Sequence, residues 1–144
     1  MNCGRVAGTL EPVSNAVTEG LLVEVKSAFI PERSRPEQSE YFFAYTVRIT
    51  NSGTQTVQLV SRHWIITDGE GRIEEVRGAG VIGQQPILQP GETFQYTSAC
   101  PLSTPWGEMK GTYQMVRDDG TGFDARIAAF ELAIPAAARS RLLN

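Results

Sequence analysis

Tyr41-Phe42-Phe43-Ala44-Tyr45-Thr46-Val47-Arg48-Ile49-Thr50, followed by Asn51-Ser52-Gly53, is the stretch on which the fold turns. Tyr41, Phe43, Tyr45, Val47 and Ile49 share one parity, while Ala44, Thr46, Arg48 and Thr50 share the other. In a strand, successive side chains point to opposite faces, so this alternation predicts a strand with one buried face. Asn and Gly adopt positive φ at little cost, so Asn51-Ser52-Gly53 predicts the turn that ends it.

The same periodicity extends in both directions. Upstream, Leu21, Val23 and Val25 alternate with Leu22, Glu24 and Lys26, and PERSRPEQSE at 31–40 is a polar loop with two prolines. Downstream, a strand over about 55–67 carries the adjacent pairs Leu59-Val60 and Ile65-Ile66, which predict a bulge or burial on both faces. Asp68-Gly69-Glu70-Gly71 turns it into a short strand at 72–76. Gln89-Pro90-Gly91-Glu92 opens another strand through Phe94, Tyr96, Ser98 and Cys100, and an irregular loop is expected from Pro101 to Gly107. Tyr113 and Met115 mark a further strand, ended by Asp118-Asp119-Gly120. In the last one, Phe123, Ala125 and Ile127 hold one parity but Phe130, Leu132 and Ile134 hold the other, so a bulge is predicted near Ala128-Ala129. Pro135 to Ala138 could open a short C-terminal helix. Residues 1–19 read as a flexible leader, 20–136 as one domain and 137–144 as a tail.

About seven short strands separated by turn signals indicate an all-β antiparallel sandwich of the immunoglobulin-like type, with a closed barrel as the alternative. The chain has 144 residues, the size of one domain, and its 14 Gly and 8 Pro disfavour a helical bundle. A net charge of −3 gives no reason to seek nucleic acid, and no apolar run is long enough for a transmembrane helix. Cys3 and Cys100 are not a metal-ligand pair by spacing, and a disulfide between them is disfavoured because a loose terminus rarely holds the geometry of a bridge; Cys100 reads as a buried free thiol and the cytoplasm as the default location.

Few residues suggest chemistry. Gly78-Ala79-Gly80-Val81-Ile82-Gly83 spells G-x-G-x-x-G, but Gln84-Gln85-Pro86 follows instead of a helix, so the context of a dinucleotide site is missing. Its weaker functional reading is an anion held by loop amides at Gly78, Gly80 and Gly83 with help from Arg77; its plainer reading is a tight β turn. His63 is the only histidine and reads as structural. The acidic residues flank glycine turns without ligand spacing, so neither a metal site nor a cofactor is expected. Trp106, between Pro101, Pro105 and Gly107, is a candidate anchor for a protein partner or else a lid on the sandwich end.

Taken together, Ser61 to Asp68 (SRHWIITD), Val76 to Pro86 (VRGAGVIGQQP), Pro90-Gly91-Glu92, Tyr96-Thr97-Ser98, Pro101 to Pro105 (PLSTP) and Gly111 to Val116 (GTYQMV) resemble the ApaG family, collinearly over roughly 20–135. The chain departs from the family's usual I-P-A-F at Ile127-Ala128-Ala129-Phe130. The resemblance implies a fibronectin type III-like sandwich and a bacterial cytoplasmic protein linked by phenotype to cobalt and magnesium efflux or resistance. It attaches no catalytic residue. Similar domains fused to an F-box, and one in a DNA-polymerase-delta-interacting protein, imply protein–protein interaction. The expected function is therefore a non-enzymatic interaction module with an unknown protein partner, in which sheet edges could also pair two copies. The alternative is a responder to pyrophosphate, a nucleotide or a divalent metal through the Gly78–Gly83 loop.

Overall fold

The alternating stretch forms the long strand expected of it, with Phe43, Val47 and Ile49 fully buried. In the computed structural model, which describes residues 14–135, nine strands follow in chain order. They are β1 (Ser14–Thr18), β2 (Leu21–Phe29), β3 (Tyr41–Asn51), β4 (Val57–Asp68) and β5 (Ile73–Ala79), then β6 (Ile87–Leu88), β7 (Thr93–Leu102), β8 (Trp106–Arg117) and β9 (Gly122–Ala133). One sheet runs β1-β2-β3-β7 and the other β5-β4-β8-β9, with β6 also pairing β4; every pairing is antiparallel. Among the described residues no strand is shared between the sheets, so the architecture is the sandwich and not the barrel.

The inner faces interlock around aromatic rings. Trp64 of β4 packs edge-on to Tyr45, Tyr113 and Phe130, with centroids 5.4, 6.2 and 6.0 Å away. Such T-shaped contacts add to the area each ring buries. Among these rings the Tyr96 and Tyr113 hydroxyls share a 2.5 Å hydrogen bond.

Both parity breaks are bulges. Between Leu59 and Ser61, β4 advances two residues while β8 advances one, leaving Val60 as the extra residue. Between Ile127 and Phe130, β9 advances three residues against two on β8, which places the other bulge at Ala128-Ala129. Each returns the following apolar residues to the core.

Two features differ from the expected organisation. Ser14 to Thr18, assigned to the leader, form β1 and pair with Leu21 to Val25. Glu19 and Gly20 both have positive φ, at 48° and 86°, and this two-residue turn folds β1 back along β2 with the twist a hairpin requires. Glu is a poor signal for such a turn, and β1 has no alternating apolar set, so neither cue stands out in the sequence. The expected loop from Pro101 to Gly107 is also shorter: Pro101 lies within β7 and Trp106 opens β8, leaving only 103–105 between strands. The polar segment at 31–40 contains two 3₁₀ turns with no buried residue, as its composition requires. The expected helix opened by Pro135 falls almost entirely outside the described residues.

Candidate functional site

The Val60 bulge builds the most distinctive site. Its carbonyl accepts the Gly80 N–H at 2.8 Å and the Gln85 side-chain N–H at 2.9 Å, which fastens the glycine loop to β4. The bulge also turns Arg62 and Trp64 toward the space between the sheets, while Ser61 and His63 face outward. There Arg62 and Trp64, with Tyr45, Tyr96 and Ser98 of the first sheet and Ala79, Val81, Ile82 and Gly83 of the loop, line a cavity of about 310 Å³.

Arg62 is held from its loop side. Its Nη1 donates to the carbonyls of Ala79 at 3.1 Å and Gly80 at 2.9 Å. A Cβ on Gly78 would come within 2.9 Å of that guanidinium, so the first glycine of the motif makes room for an arginine. Gly80 is required for another reason. With φ at +62°, it brings its Cα so close to the Gln84 carbonyl that a Cβ would sit 2.2 Å from the oxygen.

Val81 and Gln84 exchange both backbone hydrogen bonds, each at 2.8 Å, across a two-residue turn of Ile82 and Gly83. Both turn residues have positive φ, 42° for Ile82 and 79° for Gly83. A β-branched residue there is strained, because its Cβ crowds its own backbone. Ile82 nonetheless presents its side chain outward, 52% exposed. The amides of Gly80, Val81 and Gln84 are all committed within the fold. Arg77 points away from the cavity toward Glu75, 3.4 Å distant on the exposed face of β5.

The other expected residues lie elsewhere. Trp106 is 49% exposed, with its ring against Gly69, where a Cβ would sit 2.7 Å from the indole. The Thr104 hydroxyl donates to the Trp106 carbonyl at 2.7 Å and accepts the Gly69 N–H at 2.8 Å. The ring is thus partly folded back and partly presented. Pro101 sits opposite Phe42 on the outer part of β7, and the Pro105 carbonyl accepts the Ile134 N–H at 3.1 Å. His63 Nε2 lies 2.8 Å from Glu75 on the outer face of the second sheet. Cys100 is a buried free thiol, and burial, with a contribution from Glu74, pushes its pKa up to about 11. At neutral pH it is a protonated, weakly nucleophilic thiol. Among the described residues no three His, Cys, Asp or Glu side chains group to hold a metal ion. No helix there is long and apolar enough to cross a membrane.

Arg62 escapes a sequence reading because nothing marks it out in Ser61-Arg62-His63-Trp64. A bulge at Val60 is one of two outcomes that the Leu59-Val60 pair allows, and only that outcome sends Arg62 inward.

Comparison with known proteins places this geometry. The family profile described as DUF525: ApaG domain matches residues 31–117. Protein ApaG of Bordetella pertussis is 60% identical over 115 residues, covering 80% of this chain and 88% of that protein. Protein ApaG of Anaeromyxobacter dehalogenans is 59% identical over 123 residues, covering 85% and 97%. A crystal structure described as the ApaA protein of Bordetella pertussis superposes with a TM-score of 0.79 at 56% identity, covering 88% of this chain and 98% of that one. On the sandwich, on the profile match and on identity across most of its length, this chain belongs to the ApaG family.

Proposed function

We propose that this chain is a non-catalytic binding module acting through a protein partner. The observation that carries this reading is Ile82. A strained residue persists only where its surroundings over-determine it, and this one sets an apolar side chain in solvent at the tip of a rigid turn. Scattered exposed apolar residues need no explanation, but one held out at a conformational cost does. Beside it β5 and β7 are edge strands, each paired on one side only, so a partner strand could extend either sheet.

Under this proposal the family's link to cobalt and magnesium is indirect, passing through the partner. The test is quantitative affinity capture from native lysate with the full chain, comparing wild type, Ile82→Asp and Trp106→Ala. Loss of the same specific proteins with Ile82→Asp supports the proposal, and equal recovery from all three baits defeats it. A parallel amide-shift titration with Mg²⁺ and Co²⁺ addresses direct metal response: saturable, localised shifts at low ion concentration would overturn the indirect route.

A further inference from the structure

We infer that the cavity between β4 and β7 is a binding site for a small organic oxyanion, a compact carboxylate or phosphate monoester, with Arg62 as its counter-ion. This goes beyond the partner reading and does not depend on it.

Three observations converge. First, Arg62 carries a full charge into the space between the sheets, and no carboxylate of the described residues pairs with it. The ion pairs among those residues are Arg48–Glu24, His63–Glu75, Arg72 with Asp68 and Glu70, Arg77–Glu75 and Arg117–Glu19. Partly buried cations are ordinarily paired, because water no longer solvates them fully. Its partners here are the neutral carbonyls of Ala79 and Gly80, which orient the guanidinium and leave its other N–H groups without an acceptor among the described residues. Second, the described wall of the cavity contains no Asp or Glu. Glu74, the acidic residue felt by Cys100, lies four positions along β5 from Gly78, roughly 13 Å at strand spacing. Third, Trp64 is part of the cavity wall, and its buried indole N–H has no hydrogen-bond partner among the described residues. An orphaned donor of that kind costs on the order of 1–3 kcal/mol unless something accepts from it. Tyr45 and Ser98 bring hydroxyl-bearing side chains to the same wall, while the Tyr96 hydroxyl is already bonded to Tyr113.

One fixed cation, several neutral donors and no opposing anion favour negatively charged oxygen over any other ligand chemistry. A cavity near 310 Å³ is at the small end of ligand pockets, which points to a ligand of few heavy atoms and not to a nucleotide. The glycine motif serves this site through Gly78, which clears space for the guanidinium, and not through a cradle of amides.

The experiment is an amide-shift titration of the full chain with two probes, succinate and phosphoserine, whose ranking distinguishes a carboxylate site from a phosphate site. We expect saturable shifts confined to residues 45, 62–64, 78–83 and 96–98, with an affinity of about 1 mM or tighter for the better probe. Arg62→Gln should weaken binding at least about tenfold. Because that variant also loses the anchor of the loop, Trp64→Phe provides the second reading: it removes the indole N–H together with one ring of a buried side chain, so its urea midpoint is measured alongside, and the folded variant should bind several-fold more weakly. Arg77→Gln should bind as wild type. Absence of saturable shifts with both probes would overturn the inference, as would binding that survives both Arg62→Gln and Trp64→Phe or that disappears with Arg77→Gln.

Discussion

The two sides of the sandwich are built in opposite ways. On one, β1 and β2 lie against β9 and are tied to the second sheet by directed bonds. The Thr18 hydroxyl accepts the Arg126 N–H at 3.0 Å, the Ser27 hydroxyl donates to the Glu131 carbonyl at 2.7 Å, and the Glu19 carboxylate pairs with Arg117. On the other side β5 and β7 face each other with no hydrogen bond between the two strands among the described residues, and the bonds Arg72–Ser103 at 2.9 Å and Gly69–Thr104 at 2.8 Å lie only at their ends. That side holds the cavity, the arginine without a carboxylate and the strained Ile82. The difference teaches where each kind of residue is tolerated. The directed bonds between the sheets lie on the sealed side, whereas the open side holds a charge, an orphaned donor and an unfavourable φ.

The largest expected effect comes from breaking the sealed side. Leu132 on β9 is fully buried, and Leu132→Ala removes its contacts and leaves a cavity between rigid sheets. It should cost about 3–4 kcal/mol, read as a fall in the urea midpoint at unchanged slope. A loss below about 1 kcal/mol would mean that this side can collapse around the gap and is not the rigid one.

Alkali should attack the open side first. The folded Cys100 thiol keeps its proton to a pKa of about 11, whereas the ordinary value is 9.0. Between those values the folded state binds more protons than the unfolded one. The contribution is complete below pH 9 and is lost as pH rises toward 11. Burial also raises Tyr45, Tyr96 and Tyr113, which adds loss of the same sign above pH 10. The thiol alone should contribute about 2–3 kcal/mol of the loss by pH 11. Cys100→Ala should flatten the fall between pH 9 and 10, as measured by urea unfolding along a pH series; an unchanged slope would remove the thiol as its source.

Between the two sides, the Tyr96–Tyr113 hydroxyl pair tests whether the cavity hydrates the core beneath it. Tyr96→Phe leaves the fully buried Tyr113 hydroxyl without its partner and should cost about 1–2 kcal/mol. Adding Tyr113→Phe should recover most of that loss, since two apolar rings then meet without an orphaned hydroxyl. A double-mutant cycle with no coupling would show that water from the open side already serves Tyr113.

Much of this contrast is legible in the sequence, but unevenly. The core strand at Tyr41 to Asn51 can be read because one sheet face is wet and the other dry, which imposes strict alternation. The Ala128-Ala129 bulge can be read because a parity slip leaves a residue with nowhere to go. The sealed side is harder, since β1 is held by a Glu19-Gly20 turn and main-chain pairing, neither of which has a strong residue signature. The candidate site is hardest. G-x-G-x-x-G suggests an amide cradle, whereas Gly78 serves an arginine sixteen positions earlier in the chain, and only the register of β4 against β5 brings them together. Local spelling cannot report a contact created by strand pairing.

The smallest effect has the opposite sign and separates the two sides most sharply. Ile82→Gly removes a β-branched side chain from a turn position whose φ of 42° suits glycine. The substitution relieves backbone strain of about 1–3 kcal/mol. Against that gain stand the extra freedom of an unfolded glycine, about 1 kcal/mol, and the loss of the side chain's partly buried half. The balance should be a stabilisation of up to about 1 kcal/mol, seen as a higher urea midpoint at the same slope. Truncating an apolar residue on the sealed side destabilises because its contacts hold the sheets together. Truncating Ile82 should not, because its side chain is half exposed and its φ of 42° is strained for a β-branched residue. A destabilisation beyond about 1 kcal/mol would instead make Ile82 a plug for the mouth of the cavity. The open side would then be a second seal, made by one side chain where the first is made by strands.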